Sequence, residues 1–372
     1  MPLLLLGVLL GPVVGLLDWL TLKSLAPVSA LVVGWVGARL GARWDWRMVR
    51  RIAPATWGVV AAQALAGVGI GFLAAWLGTK LVPALAIAWS PRVPAALTLA
   101  AVAIVPGAGA MERAARAAGL PPRLTRSLRR VALLNAACGA VVCAVALGLG
   151  RPRVAGIIPG WVAGLALEIV AGLLVGALFI GLLRYTFERR GLGVLLIAVL
   201  LFGAGLAYAA GLSPFVVCGL AVGFIVNRSP HRHRVRTMLG MWARPTYEIL
   251  FVLVGAFLTL PTLWVLAAAP VLAALRVLAQ WSTVRSGIGY LPAATLPSIA
   301  GLASVAQGAS ALALGLGFSL TRGGSGAVLT TIAFGVILTQ ALAPAAMRLA
   351  APTQRLTAGL PATELNSNPK PD

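Results

Sequence analysis

Eight acidic side chains and two histidines are the first candidates for proton and metal chemistry in this 372-residue chain. Asp18, Asp45, Glu112, Glu188, Glu364 and Asp372 are readily placed in loops or the tail, and Glu248 lies at the edge of an apolar run, where water can reach it. Glu168 differs, because it sits near the middle of the apolar run 157–183. An ionised carboxylate at membrane depth must be paired or face water. Glu168 therefore reads either as an ion or proton site, or as a structural carboxyl, paired with a basic residue or protonated between helices. Arg276, in the run 263–282, is a candidate partner, although so long a side chain can also snorkel to the membrane surface. Asn135, in the run 131–149, can coordinate a cation or hydrogen-bond a neighbouring helix; the second is the commoner role of a membrane Asn. His231 and His233 lie in a basic loop, and no acidic pair or metal-ligand spacing accompanies them, so the chain is not read as an enzyme and no cofactor or metal is expected.

Two further places carry chemistry through the backbone. Val105-Pro106-Gly107-Ala108-Gly109 interrupts one apolar run, and Pro297, Gly301, Gln307 and Gly308 interrupt another. Pro removes a donor and Gly resists helix, so helices broken there free carbonyls and helix ends. At membrane depth such groups are tolerated only against protein or a water-filled cavity, and a pair of broken helices in corresponding halves marks a transporter's binding site. Asn135, Pro106, Gly107, Gln307, Gly308, Glu168 and Arg276 are thus the candidate solute or ion site.

The elements that must position these residues follow from composition. With 60% hydrophobic and 10% charged residues, against roughly 25% charged in soluble domains, the chain is an all-α polytopic membrane protein. Apolar runs bounded by charges or Pro/Gly turns lie at 3–20, 26–41, 55–78, 93–110, 131–149, 157–183, 192–210, 213–227, 246–261, 263–282, 293–318 and 326–347, which predicts about 12 spans. The segment 81–88 is too short to cross. The run from Leu3 reads as the first span rather than a cleaved signal peptide, since it lacks a basic start. Residues 1–350 form one transmembrane domain, and 351–372 a short polar tail.

A formal charge of +22 would suggest nucleic acid on a soluble protein. Here 24 of the 30 basic residues fall on one side of the predicted spans, in clusters such as Arg39–Arg51, Arg113–Arg130 and Arg228–Arg244. That side is cytoplasmic by the positive-inside rule, both termini lie on it, and the charge points to a bilayer rather than to nucleic acid. The dominance of Arg over Lys, with abundant Ala and Gly, suggests a GC-rich bacterial genome and hence the bacterial cytoplasmic membrane. Cys138, Cys143 and Cys218 lie in apolar runs and read as packing residues.

Four segments resemble the monovalent cation:proton antiporter superfamily. Leu6-Gly7-Val8-Leu9-Leu10-Gly11-Pro12 is similar to the family's Gly-rich opening helix, and Gly34-Trp35-Val36-Gly37-Ala38-Arg39-Leu40-Gly41 to its second-helix glycine pattern. Phe251-Val252-Leu253-Val254-Gly255-Ala256 and Gly301 to Gly308 resemble its ninth- and eleventh-helix segments. The resemblance implies two bundles, inverted repeats with broken helices 4 and 11 crossing at midmembrane, a homodimer, and exchange of sodium or potassium against protons. The interrupted runs here are the fourth and eleventh. One departure is conspicuous: family members carry Asn-Asp or Asp-Asp on the fifth helix, and the matching pair is Asn135-Ala136. An Asn amide cannot titrate.

Three functions remain open on the sequence alone. The first is a secondary transporter resembling cation:proton antiporters, with Asn135 and freed carbonyls near Pro106 and Gln307 holding the solute and Glu168 as the substitute titrating group. The second is a uniporter or sodium-coupled organic-anion transporter on the same fold, with helix N-termini facing the substrate. The third is a membrane scaffold or sensor that does not transport.

Overall fold

Hydrocarbon offers no partner to a backbone amide, so a chain this apolar must satisfy its hydrogen bonds within helices. The computed structural model describes residues 2–17, 19–52, 54–117, 122–153, 157–183, 189–287, 305–322 and 326–350, and its regular elements are all helical. The polar tail 351–372, Glu188, Pro297 and Gly301 lie outside the described residues.

Helix α1 (Pro2–Val8) runs into a π-helical turn at Leu9–Val13, followed by α2 (Trp19–Ser24), α3 (Ala26–Gly41) and the short α4 (Trp46–Val49). The long α5 (Pro54–Leu81) leads through α6 (Pro83–Ala88) to α7 (Arg92–Ile104) and α8 (Ala108–Ala117). Then come α9 (Pro122–Gly148), α10 (Gly160–Leu183), α11 (Arg189–Ala209), α12 (Pro214–Arg228), α13 (Arg232–Met241), α14 (Ala243–Ala256) and α15 (Trp264–Gly287). After the segment that is not described, α16 (Ala309–Arg322) and α17 (Gly326–Ala350) complete the fold. Among the described residues, seven segments are long and apolar enough to cross a bilayer, starting at Thr56, Arg92, Thr125, Gly160, Gly191, Trp264 and Gly326, and shorter apolar helices such as α3 and α12 lie among them. The chain is a multi-pass membrane protein.

Two expectations about local structure change. The basic loop carrying His231 and His233 is largely helical, as α13, whose buried Val235 and Leu239 anchor it to the neighbouring core while Arg232 and Arg234 are exposed. The basic stretch after the fourth run is likewise helical in α8, and the fifth span begins earlier than Val131, at Pro122. Both segments combine good helix formers with an apolar stripe, so their charge hides a helical period from a search for apolar runs.

Small residues let the helices approach closely, as expected where lipid supplies no hydrophobic drive for helix association. A Cβ on Gly7 would collide with the backbone of Val252 and Gly255, and one on Gly255 with that of Leu4 and Gly7, so α1 lies directly on α14. Gly37 and Gly41 meet the backbone of Phe215 and Gly219 in the same way, making α3 and α12 a tightly packed pair. Three of the four glycine-bearing segments that carried the resemblance are therefore paired crossing points. The connection beyond α3 is latched to α12: Asn227 Nδ2 donates to the Trp44 carbonyl (2.9 Å), and Trp46 N–H donates to Asn227 Oδ1 (2.9 Å).

Candidate functional site

The helix started at Arg92 stops at Ile104 because Pro106 has no N–H to give and Val105 turns extended. The chain resumes as α8 at Ala108. Residues 305–308 are likewise non-helical before α16 begins at Ala309, and the two breaks cross: Gly107 N–H donates to the Ala306 carbonyl at 2.7 Å. A Cβ on Gly107 would lie 2.6 Å from the Gly308 nitrogen and 2.8 Å from the Gln307 carbonyl oxygen, so only glycine fits. Pro106, Gly107, Gln307 and Gly308 thus meet in one place.

Most of the polar groups at this crossing are engaged with one another. Gln307 Nε2 donates to the Val102 carbonyl (2.8 Å) at the end of α7, Thr339 Oγ1 donates to Gln307 Oε1 (3.3 Å), and Gln340 Nε2 donates to the Gln307 carbonyl (3.1 Å). Arg276, only 3% exposed, directs Nη1 at the Val102 and Val105 carbonyls, 3.4 Å from each. A guanidinium at the C-terminal end of α7 meets the negative pole of that helix. Arg276 therefore neither snorkels nor pairs with Glu168: the carbonyls released by the break hold it inside.

Asn135 and Ala136 divide the two sides of α9 between them. Asn135, fully buried, donates from Nδ2 to Gln63 Oε1 of α5 (2.8 Å). Its Oδ1 and Gln63 Nε2 are buried without hydrogen-bond partners. Ala136 lines the cavity described below together with Gly107 and Gly308. At the position where the antiporter resemblance puts a carboxylate, the wall of the cavity is a methyl group.

Glu168 lies elsewhere. Its Oε1 accepts from the N–H of Ser213 (2.8 Å), the residue that caps α12, while Arg151, within electrostatic reach, donates to the Ala210 and Gly211 carbonyls at 2.8 and 2.7 Å. A carboxylate at a helix N-terminus and a guanidinium at the preceding helix's C-terminus both suit the helix dipoles. Glu168 is 2% exposed, and its Oε2 is buried with no hydrogen-bond partner. Glu248 pairs on its own helix with Arg244 (3.0 Å) at the surface.

A cavity of about 520 Å³ opens from the arginine-rich face down to the crossing. Pro106, Gly107, Gly308, Ala309 and Ser310 form part of its wall with Ala136, and Arg39, Arg43, Arg113 and Arg116 supply its charge. Among the described residues no group of three His, Cys, Asp or Glu side chains could hold a metal. Gln63, Ser310, Thr339, Gln340 and the arginines of the cavity are not picked out by the sequence analysis. The signal for Gln63 was available, since it stands alone in a long apolar run; the others depend on which helices meet.

No protein-family model and no curated protein matches the sequence. Among solved structures, the sodium proton antiporter of Methanocaldococcus jannaschii at pH 8 superposes with a TM-score of 0.66 at 14% identity, covering 92% of each chain. The chain has the fold of a sodium/proton antiporter. Backbone groups freed at two broken helices need protein or water around them, and here the breaks meet each other. The likeness of fold does not supply the side-chain chemistry of the site, where Ala136 lines the wall.

Proposed function

We propose that this chain is a secondary transporter that carries its solute past the crossing of the α7–α8 break and the start of α16, and that the cavity is its cytoplasmic access route in a bacterial inner membrane. The observation that supports this reading is the meeting of Gly107, Ala306 and Gly308 at the inner end of a cavity open to the arginine-rich face. The helices around the crossing move against the α3–α12 pair, exposing the site to each side in turn. Coupling through a carboxylate at the crossing is not part of the proposal, because Ala136 stands there.

Exchange of sodium or potassium against protons is the second reading, and the unengaged Oε2 of Glu168 favours it. Glu168 would then be the titrating group, at a distance from the crossing, with Asn135 and Gln307 as uncharged ligands.

Two-sided labelling tests the transporter reading. Ser310→Cys, in a Cys138→Ser background, is expected to react with a membrane-impermeant maleimide from the arginine-rich side, and more slowly from the opposite side as the carrier alternates. Labelling from one side alone at every temperature tried would leave a scaffold or sensor.

A further inference from the structure

The positive-inside rule accounts for arginines on this face of the protein, but not for their convergence on the wall of one cavity. Arg39, Arg43, Arg113 and Arg116 line the cavity that ends at the crossing, and among the described residues none of them has a carboxylate within ion-pair distance. The acidic residue of that wall, Glu112, is already 3.5 Å from Arg129. An adjoining cavity of about 420 Å³ shares Arg39 and Arg43 and adds Arg129, Arg130 and Arg236; its one carboxylate, Asp45, lies 3.6 Å from Arg236. Arg39 stacks over the Tyr247 ring, 5.1 Å from its centroid, which fixes its position without cancelling its charge. Arg43 is exposed to the water of the cavity, with protein on its other sides. Burial pushes its guanidinium below the ordinary arginine range; Tyr247 and Glu112 pull the other way, and the nearby charges of Arg39 and Arg129 lower it further.

The inner end of the cavity adds to this field. Helices α8 and α16 both begin there, and the first amides of a helix have no partner within it. The amides of Ala108 to Ala110 and of Ala309 and Ser310 thus sit at two positive helix ends in the cavity wall.

Resting on the transporter reading, we propose that the cavity binds a small soluble oxyanion, a carboxylate or a phosphate, with its oxygens on the N-termini of α8 and α16 and its charge matched by Arg43 and Arg113. The remaining arginines then raise the local anion concentration at the mouth. For a bare monovalent cation, the carboxylate among the described residues lining this route, Glu112, is already paired with Arg129. Depth separates the soluble anion from a lipid headgroup, since the groups at the inner end are backbone amides reached only past the arginines.

The test uses purified protein in phosphatidylcholine nanodiscs, with the rate of maleimide labelling at Ser310→Cys (Cys138→Ser) as readout. Millimolar inorganic phosphate or succinate is expected to slow labelling at least fivefold. Sodium chloride of equal ionic strength should leave the rate within twofold. Arg113→Gln should raise the half-protecting concentration about tenfold, and Arg113→Lys should restore most of the affinity. Unchanged labelling with both anions overturns the inference, as does equal protection by sodium chloride, or protection indifferent to Arg113→Gln. Protection appearing only when phosphatidylglycerol replaces phosphatidylcholine, without added anion, also overturns it and assigns the cavity to a lipid headgroup. If labelling occurs from both sides of the membrane without anion protection, the anion site fails while the transporter reading stands. If anions protect but labelling stays one-sided, the transporter reading fails alone.

Discussion

The crossing of the broken helices and the cluster around Glu168 solve the same problem with opposite materials. Both bring helix ends inside the membrane domain, and both must compensate the partial charges there. At the crossing, the negative end of α7 is met by Arg276 and the Gln307 amide, while the positive ends of α8 and α16 open onto water. Around Glu168, the positive end of α12 is met by the carboxylate and the carbonyls ending α11 by Arg151, which closes the cluster. The difference separates architecture from function. Around Glu168 both helix poles are met by the chain itself, leaving the buried Oε2 unengaged; where one pole faces a cavity, a solute can complete it.

The comparison can be broken most forcefully at Gly107. Gly107→Val drives two methyl groups into the backbone of Gln307 and Gly308, and backbone cannot yield as a side chain tip can. It is expected to cost about 3 kcal/mol or more, seen as a collapse of the thermal melting midpoint in detergent or as loss of Ser310→Cys labelling from the far side. Arg276→Leu comes next: it strips two carbonyls of their cation in a buried setting, a loss of about 2 kcal/mol that should also loosen the crossing and speed Ser310→Cys labelling.

At the other region the pair Glu168→Ala and Glu168→Gln sharpens the contrast. The alanine leaves the Ser213 amide unsatisfied and should cost about 1–3 kcal/mol. The glutamine keeps an acceptor without the charge and should cost less than about 1 kcal/mol, with far-side labelling unchanged. Asn135→Ala removes one hydrogen bond to Gln63 and should cost about 1 kcal/mol, between the two Glu168 variants. Thermal melting of the three variants under identical detergent conditions ranks them.

Much of this was legible in the chain itself, for physical reasons. Apolar runs must be helices in lipid, so most of the described helices appear where hydropathy puts them, α8 and α13 excepted, and Pro106-Gly107 announces its break because proline lacks a donor and glycine lacks a side chain. Pro270 and Pro344, by contrast, sit inside α15 and α17 without ending them, so proline alone does not mark a break. The meeting of Gly107 with Ala306 and Gly308 was expected only through the resemblance, as periodicity says nothing about which interrupted helix faces which. The Glu168–Ser213 bond was illegible: a carboxylate in one helix and the cap of another are joined by packing, not by spacing. The cavity's arginines could be assigned to a side, but not to a wall.

The account rests on solute movement at a crossing where Ala136 stands in place of a carboxylate. Its most direct test is proton flux in vesicles containing the full chain, followed with an internal pH dye during pulses of sodium, potassium and lithium, beside vesicles without protein and vesicles carrying Glu168→Gln. The account predicts a flat trace for the wild-type chain with all three cations. A cation-evoked pH change in the wild type that disappears in Glu168→Gln would contradict it and return the coupling to Glu168.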